Sequence, residues 1–493
     1  MTVLVTRRLL GTLVLLVLAA FLTVSSYPPA SATDPSANRI SIDGSEPVGG
    51  LSHVGRWLTD ASGRVVMLHG VNMVEKDPPY YPSAFGFNNA DAAWLQANGL
   101  NVVRLGVLAT GLMPSPGQIS EHYLDHLAST VENLDHHGIY VLLDLHQDGF
   151  GPTVGSDGFP SWMTVTGNAV NNHVGFPFYY LSDPATQQAF QSLWGNVKGP
   201  NAIRLQTGVA TMMHALAQQF AQSENVIGYD VFNEPWPGTI WSPCLTTPTG
   251  CPTLDRTELD PLYTKVDRAI RSAGSTQLVF VEPFSLFNYG TARTNIRLPG
   301  SDPASGLSFH QYATDAADAQ NVLANALAWS AHTGGALLNT EWGATTDGAA
   351  ITTQADQFDQ ALIPWIFWAF TSEAVANLAL PPSGSNVVAS TVDALVRPYP
   401  TVIAGTPTSI SYNSASHDFV TSWSTIAPTG KRSPAGATTT IAVPELDYPS
   451  GYSVSVAGAS VTSAPCARLL TLVADRHVSS VTVRVSTGAT CDH

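Results

Sequence analysis

A parallel (β/α)8 barrel followed by a small antiparallel β-sandwich is the fold this sequence predicts, on three observations. Between residues 33 and 395 short apolar runs alternate with stretches of helical period, the pattern of βα units around a parallel sheet. Two of those runs end in glutamates: Val231-Phe232-Asn233-Glu234-Pro235 and Leu338-Asn339-Thr340-Glu341-Trp342. The C-terminal ends of barrel strands are where catalytic groups project. Beyond residue 395 the texture changes to short β-rich runs separated by turn residues.

The chain opens with Arg7 and Arg8, an almost wholly apolar run at 9–22, and the small residues Ala30-Ser31-Ala32. Residues 1–32 are therefore expected to be a cleaved signal peptide of a secreted protein. The run is short for a spanning helix, which needs about 20 residues. An uncleaved anchor is the alternative, and the absence of a cysteine after the run argues against a lipid-modified N-terminus.

The expected barrel strands lie at 65–68, 102–107, 140–145, 227–232, 278–281, 307–309, 336–339 and 363–368. Eight is the number that closes such a barrel. Helical stretches fall at 89–97, 121–136, 206–222, 260–272, 315–333 and 353–361. Residues 149–200 show little periodicity and read as a long loop, which at this face of a barrel would build a substrate wall. A second long connection, 236–259, holds Cys244 and Cys251. These are expected to pair, as are Cys466 and Cys491, because an exported chain can keep disulfides. The sandwich, 396–493, opens at Arg397-Pro398-Tyr399-Pro400, with strands expected at 408–412, 419–424, 438–442, 452–457, 469–473 and 480–485.

The 493 residues are 44% hydrophobic and 12% charged, which gives a globular chain with ample core. A net charge of −16 argues against nucleic-acid binding, which needs a basic stripe. There is no Gly-x-Ser-x-Gly elbow, so a serine hydrolase is not indicated. The glycines at 149–155 have the wrong spacing for a dinucleotide fingerprint.

Paired carboxylates across one site are the machinery of glycosidic bond hydrolysis. In this reading Glu341 is the nucleophile, which must stay ionised, with Arg104 and Tyr312 as its candidate supports. Arg104 is alternatively a structural ion-pair partner. Glu234 is the acid/base and must hold a proton when it meets the leaving oxygen. Asn233 is placed to bond the sugar 2-hydroxyl, and Trp368 is either a flat platform for a sugar ring or plain core. Glu282 also ends a strand, and it is expected to stand behind the catalytic pair. His69, His146 and His310 come from three strands without ligand spacing, so hydrogen-bonding roles are favoured over a metal site.

These residues resemble glycoside hydrolase family 5, a retaining family of (β/α)8 barrels, and within it the endoglycoceramidases. Three stretches carry the likeness. They are Gly70-Val71-Asn72-Met73-Val74 with Lys76 and Pro78-Pro79-Tyr80-Tyr81-Pro82, Leu143-Asp144-Leu145-His146-Gln147-Asp148 with Asp157-Gly158-Phe159-Pro160-Ser161-Trp162, and 229–238 around Asn233-Glu234-Pro235. The tail with Arg397-Pro398-Tyr399-Pro400 and Ala404-Gly405-Thr406-Pro407 resembles the sandwich that closes those enzymes. The resemblance implies cleavage of the β-bond between an oligosaccharide and the ceramide of a glycosphingolipid, through a covalent glycosyl-enzyme and with no metal or organic cofactor. It implies catalytic Glu234 and Glu341, and sugar or nucleophile contacts from Lys76, His146, Asp148, Asn233, His310, Tyr312 and Trp368. Phe159, Trp162, Phe176, Phe178, Tyr179 and Tyr180 are expected either to line a groove for the lipid or to pack the long loop onto the barrel. The chain is expected to act as a monomer with peripheral contact to lipid surfaces.

Three rival readings remain at this stage. A family 5 β-glucosidase would act on glucosylceramide or a steryl glucoside through a narrower slot. An endo-β-glucanase or mannanase would need an open cleft with repeated aromatic platforms. A catalytically silent carbohydrate- or lipid-binding protein would need neither glutamate.

Overall fold

Eight parallel strands close on one another: β1 (His69–Met73), β2 (Val102–Leu108), β3 (Tyr140–His146), β4 (Val226–Asp230), β5 (Leu278–Val281), β6 (Ser305–Gln311), β7 (Ala336–Trp342) and β8 (Trp365–Phe367). β8 pairs with β1, Trp365 opposite His69, and completes the barrel. The computed structural model describes residues 49–244, 249–370 and 387–488. The expected signal peptide at 1–32 and Cys491 lie outside them. A disulfide joins Cys244 to Cys251 as expected.

Every strand residue of the barrel is buried, as expected where helices cover the outer face and side chains fill the inner one. Helices Asn89–Ala97, Glu121–Asp135, Leu205–Phe220, Asp260–Ser272, Ala316–Thr333 and Gly348–Ala361 form the outer ring. Their starts are written in the sequence. Asn88 and Asp91 form a capping box, and Ser120, Asp315 and Asp347 cap the following turns. Between β5 and β6 only the short 3-10 turns Ser285–Tyr289 and Pro299–Ser301 occur, and the first lies over the strand ends.

The first strand corrects the sequence reading. Val65–Val66 does not enter the barrel but pairs antiparallel with Val402 and Ile403. The barrel strand begins at His69, which the sequence analysis placed at a strand's C-terminal end. An apolar run reports burial, and both segments are buried, so the run could not say which sheet it joins. Gly70 marks the true strand: a Cβ there would collide with the Val102 carbonyl of β2.

The long third connection is also more ordered than expected. It holds helices Phe178–Ser182 and Pro184–Trp194. Asp183 caps the second by accepting the Thr186 N–H at 2.8 Å, and Pro184 stands in its first turn.

Two antiparallel sheets lie outside the barrel, built from segments on both sides of it in the chain. One carries, in order, Ser52–Val54, Trp57–Thr59, Val65–Val66, Tyr399–Ile403, Thr438–Ala442, Leu469–Ala474 and Ala459–Val461. The other carries Thr406–Asn413, Asp418–Ser424, Ser480–Thr487 and Tyr452–Ala457. They share one core that includes Ile403, Trp423, Ile441, Leu470 and Val483, so the tail is a sandwich. At its junction with the barrel, His69 lies between the rings of Trp365 (4.1 Å) and Tyr399 (3.6 Å). Arg397 reaches Asp359 at 2.9 Å beside it.

Candidate active site

Charges inside otherwise apolar strands must find one another, because an unpaired buried charge is strongly unfavourable. Arg104 of β2, Asp144 of β3 and Asp230 of β4 do so at the centre of the barrel. The Arg104 guanidinium is fully buried and reaches Asp144 at 2.9 Å, Asp230 at 2.9 Å, Glu282 at 3.0 Å and Glu341 at 2.5 Å. It also donates to Asn72 (3.1 Å) and Asn233 (2.9 Å). Burial works against its charge, but the four carboxylates outweigh burial and hold its pKa well above the ordinary value. Arg104 is thus both of the things the sequence allowed, a structural cation and the partner of the expected nucleophile.

Glu341, at the end of β7, is held from two sides. Arg104 donates to Oε1, and the Tyr312 hydroxyl donates to Oε2 at 2.8 Å. Burial, then the neighbouring charges of Glu341 and Glu234, raise the Tyr312 pKa well above its ordinary value, so the phenol keeps the proton it donates. The two bonds fix the orientation of the Glu341 carboxyl group.

Glu234 follows β4 with φ at 44°, in the left-handed region that a residue with a Cβ rarely adopts. Its N–H donates to Glu282 Oε2 at 2.9 Å. Its Oε1 accepts from Asn288 Nδ2 at 2.9 Å and lies 2.8 Å from His310 Nδ1. No described residue bonds Oε2. Asn233, next to it, is pinned by Arg104 and by donating to the Gln147 carbonyl at 3.0 Å.

His310 stands between the two glutamates. Its Nδ1 is 2.8 Å from Glu234 and 3.4 Å from Glu341, and its Nε2 is 3.1 Å from Glu282. Burial lowers its pKa, but Glu282 and Glu341 more than reverse this, leaving it well above the ordinary value and the ring protonated. Glu282 itself is fully buried, and burial pushes its pKa up to about 8 against the pull of His310.

A second cluster flanks the first. His146 Nδ1 lies 2.7 Å from Asp144, and Nε2 lies 3.4 Å from Asp148. Burial opposes its charge, yet Asp144 and its hydrogen bonds raise the His146 pKa to about 10. Lys76 donates to Asp148, lies 3.9 Å from Asp157, and stands 4.8 Å from the Trp368 ring centroid. Burial would raise the Asp148 pKa, but Lys76 and His146 pull it well below the carboxylate range. Asp157, raised by burial to about 6, is the weaker acid of the two. His146, Asp148 and Asp157 converge closely enough to suggest a metal site, but the Lys76 ammonium already stands among them.

The half-buried Trp368 also stacks on His146, its ring 5.5 Å away. All the expected site residues therefore converge: Glu234, Glu341, Lys76, Arg104, His146, Asp148, Asn233, His310, Tyr312 and Trp368. His69 alone of the strand-end histidines does not, because it begins its strand. Sequence reasoning missed Asn288, which sits on a 3-10 turn with no periodic signal. It also gave no role to Asp144 and Asp230, whose position inside apolar runs was a usable sign.

The aromatic residues of the third loop mostly pack inward. Phe159, Trp162, Tyr179 and Tyr180 are buried; Trp162 donates to the Met113 carbonyl, and Tyr180 packs 5.2 Å from Trp236. Phe176 is 49% exposed. Of the two expectations for this loop, packing accounts for those four.

The spacing of the two glutamates bears on what the site can do. Their nearest oxygens, together with His310, lie within 4.8 Å of one another. Retaining glycosidases hold their carboxyl groups about 5–5.5 Å apart, whereas inverting ones leave about 6.5–9.5 Å for a water. Residues 59–374 match the sequence model of Cellulase (glycosyl hydrolase family 5), and 397–486 match that of the Glycoside hydrolase family 5 C-terminal domain.

The chain belongs to glycoside hydrolase family 5.

Among curated relatives of this family 5 enzyme is Endoglycoceramidase I of Rhodococcus hoagii (strain 103S), 34% identical over 463 residues, covering 89% of each chain. The Endoglycoceramidase of Hydra vulgaris is 28% identical over 439 residues, covering 81% of each. A solved structure of endo-glycoceramidase II from Rhodococcus sp., described as a lactosyl-enzyme intermediate, has a similar fold. Its TM-score is 0.72 at 24% identity, over 88% of this chain and 100% of that one.

Proposed function

We propose that this family 5 glycoside hydrolase cleaves the β-bond between the oligosaccharide and the ceramide of glycosphingolipids with retention of configuration. The observation that carries the reaction is the pair Glu234 and Glu341, brought together around His310 at a retaining separation. The choice of substrate is supported by likeness to an endoglycoceramidase over 89% of the chain.

The steps follow from the contacts. Glu341, ionised and oriented by Arg104 and Tyr312, attacks the anomeric carbon and forms a glycosyl ester. The bond from that carbon to the ceramide oxygen breaks as Glu234 passes its proton from Oε2 to the oxygen. Glu234, now a base, takes a proton from water, which displaces Glu341 and releases the oligosaccharide. Lys76, Asp148 and His146, with the Trp368 face, form the wall on which sugar hydroxyls and a ring face would be held. We further propose that the protein is exported by residues 1–32 and works as a monomer that meets lipid surfaces peripherally. No described helix is long and apolar enough to cross a membrane.

The test is incubation with a ganglioside, lactosylceramide, glucosylceramide and a soluble β-glucan, with products read by mass spectrometry. Free ceramide with an intact oligosaccharide, absent in Glu234→Gln and Glu341→Gln, is the expected result. Release of glucose alone, or cleavage of β-glucan without lipid, would overturn the substrate. N-terminal sequencing of protein from culture medium checks export, and a start after residue 32 is expected.

A further inference from the structure

We propose that Glu282 is a positioning residue for proton transfer: its carboxylate sets the backbone from which Glu234 projects and orients the imidazole that touches both catalytic glutamates. Three contacts support this. Oε2 accepts the Glu234 N–H at 2.9 Å. Oε1 accepts from Arg104 Nη2 at 3.0 Å and lies 3.1 Å from His310 Nε2. One buried carboxylate thus ties together the acid/base, the cation of the nucleophile and the ring between them.

The tie to Glu234 is the decisive one. At φ 44° a glutamate backbone is strained and stays there only when its surroundings hold it. Among the described residues, Glu282 is the sole partner of that N–H. The Glu234 carbonyl is held separately, by Gln147 at 3.2 Å and Ser285 at 3.4 Å. Releasing the N–H lets the peptide relax and moves the carboxyl group relative to the leaving oxygen. Arg104, by contrast, keeps Asp144, Asp230 and Glu341 when Glu282 is gone, so the nucleophile stays in place. Loss of Glu282 therefore damages the acid half of the site more than the nucleophilic half. In Glu282→Gln the amide presents one donor to a donor, either Arg104 and His310 or the Glu234 N–H, so one side of the arrangement is lost.

This inference rests on the retaining roles of Glu234 and Glu341, not on the aglycone. The experiment compares kcat/KM, which reports steps through aglycone departure, for dinitrophenyl β-lactoside, lactosylceramide and an alkyl β-lactoside. Dinitrophenolate leaves without a proton; ceramide and the alkyl alcohol need one. Glu282→Gln is expected to lower kcat/KM less than about 5-fold on the aryl glycoside and about 100-fold or more on the other two, the usual range of general acid catalysis. Asp230→Asn, which touches Arg104 but not Glu234, is expected to lower both kinds alike. Equal losses in Glu282→Gln, or none, would overturn the role. If wild type cleaves the lactosides but no glycolipid, the ceramide reading fails, while the aryl-to-alkyl ratio still decides Glu282. Should Glu282→Gln lose its folded circular dichroism spectrum, Glu282→Asp, too short to span all three partners, is read by the same ratio.

Discussion

Arg104 sits where a stability role and a catalytic role cannot be separated by inspection, but they differ in how they fail. Arg104→Met leaves Asp144, Asp230 and Glu282 buried without their cation. Breaking a buried ion pair by removing one partner typically costs about 3–5 kcal/mol. Urea unfolding of this variant should show a loss of that order, together with loss of activity. Glu234→Ala is expected to fail differently. On an aryl glycoside with a good leaving group the glycosyl-enzyme still forms, but no base activates water. Added azide should restore turnover of Glu234→Ala and yield the β-glycosyl azide, read by mass spectrometry; in Glu341→Ala azide can only take the vacated face of the nucleophile, so any rescue gives the α-glycosyl azide. An α-azide from Glu234→Ala, or a β-azide from Glu341→Ala, would reverse the assignment of the two carboxylates.

At the scale of elements, the third loop is a wall built from its own core, and its glycines make that core tight. Gly149 holds φ at 57°, and a Cβ there would meet the ring of Tyr179. Gly149→Ala should therefore cost on the order of 1–3 kcal/mol in backbone strain. The displaced loop follows directly on Asp148, so the variant should raise KM for the glycolipid while the aryl lactoside reaction changes less. Steady-state kinetics on both substrates check this. The elements show what a single sequence can reveal. The strands were legible because barrel strands, buried on both faces, are continuous apolar runs, and the glutamates because strand ends are punctuated by Asn-Glu-Pro and Glu-Trp. The run before His69 misled because hydrophobicity records burial without naming a partner. The helix Pro184–Trp194 was missed although Asp183-Pro184 is a start signal, because aromatic and glycine-rich neighbours hid its period. Asn288 was not legible, because a 3-10 turn has no repeat to read.

For the whole molecule, buried acids set the response to pH. Glu75, Asp91, Asp255 and Asp267 are each raised, chiefly by burial, to about 7. A carboxyl group with a raised folded-state pKa contributes stability below its unfolded value, and that stability is lost as pH rises through the folded value. Asp148, held low by Lys76 and His146, acts in the opposite sense and only in stronger acid. The thermal midpoint should therefore fall from about pH 4.5 toward pH 7, each affected group contributing a slope of up to about 1.4 kcal/mol per pH unit between its unfolded and folded values. The net charge of −16 adds repulsion in the same direction. Calorimetry from about pH 4.5 to 7 checks this, and a flat or rising profile would contradict it. At the junction, His69→Ala removes a ring stacked on both sides by Trp365 and Tyr399. A loss of about 2–4 kcal/mol is expected from the cavity, with KM unchanged because the residue lies at the far end of its strand.

The pairing of Val65–Val66 with Val402 and Ile403 has a consequence in time rather than space. On the ribosome, the short strands that lead into the barrel emerge long before the strand that completes their sheet. Until Tyr399–Ile403 has been made, they show an open edge of N–H and C=O groups of the kind that invites pairing with other chains. A polypeptide cut back to its barrel would carry that edge permanently, so the sandwich acts as the clasp that the first-made segment waits for.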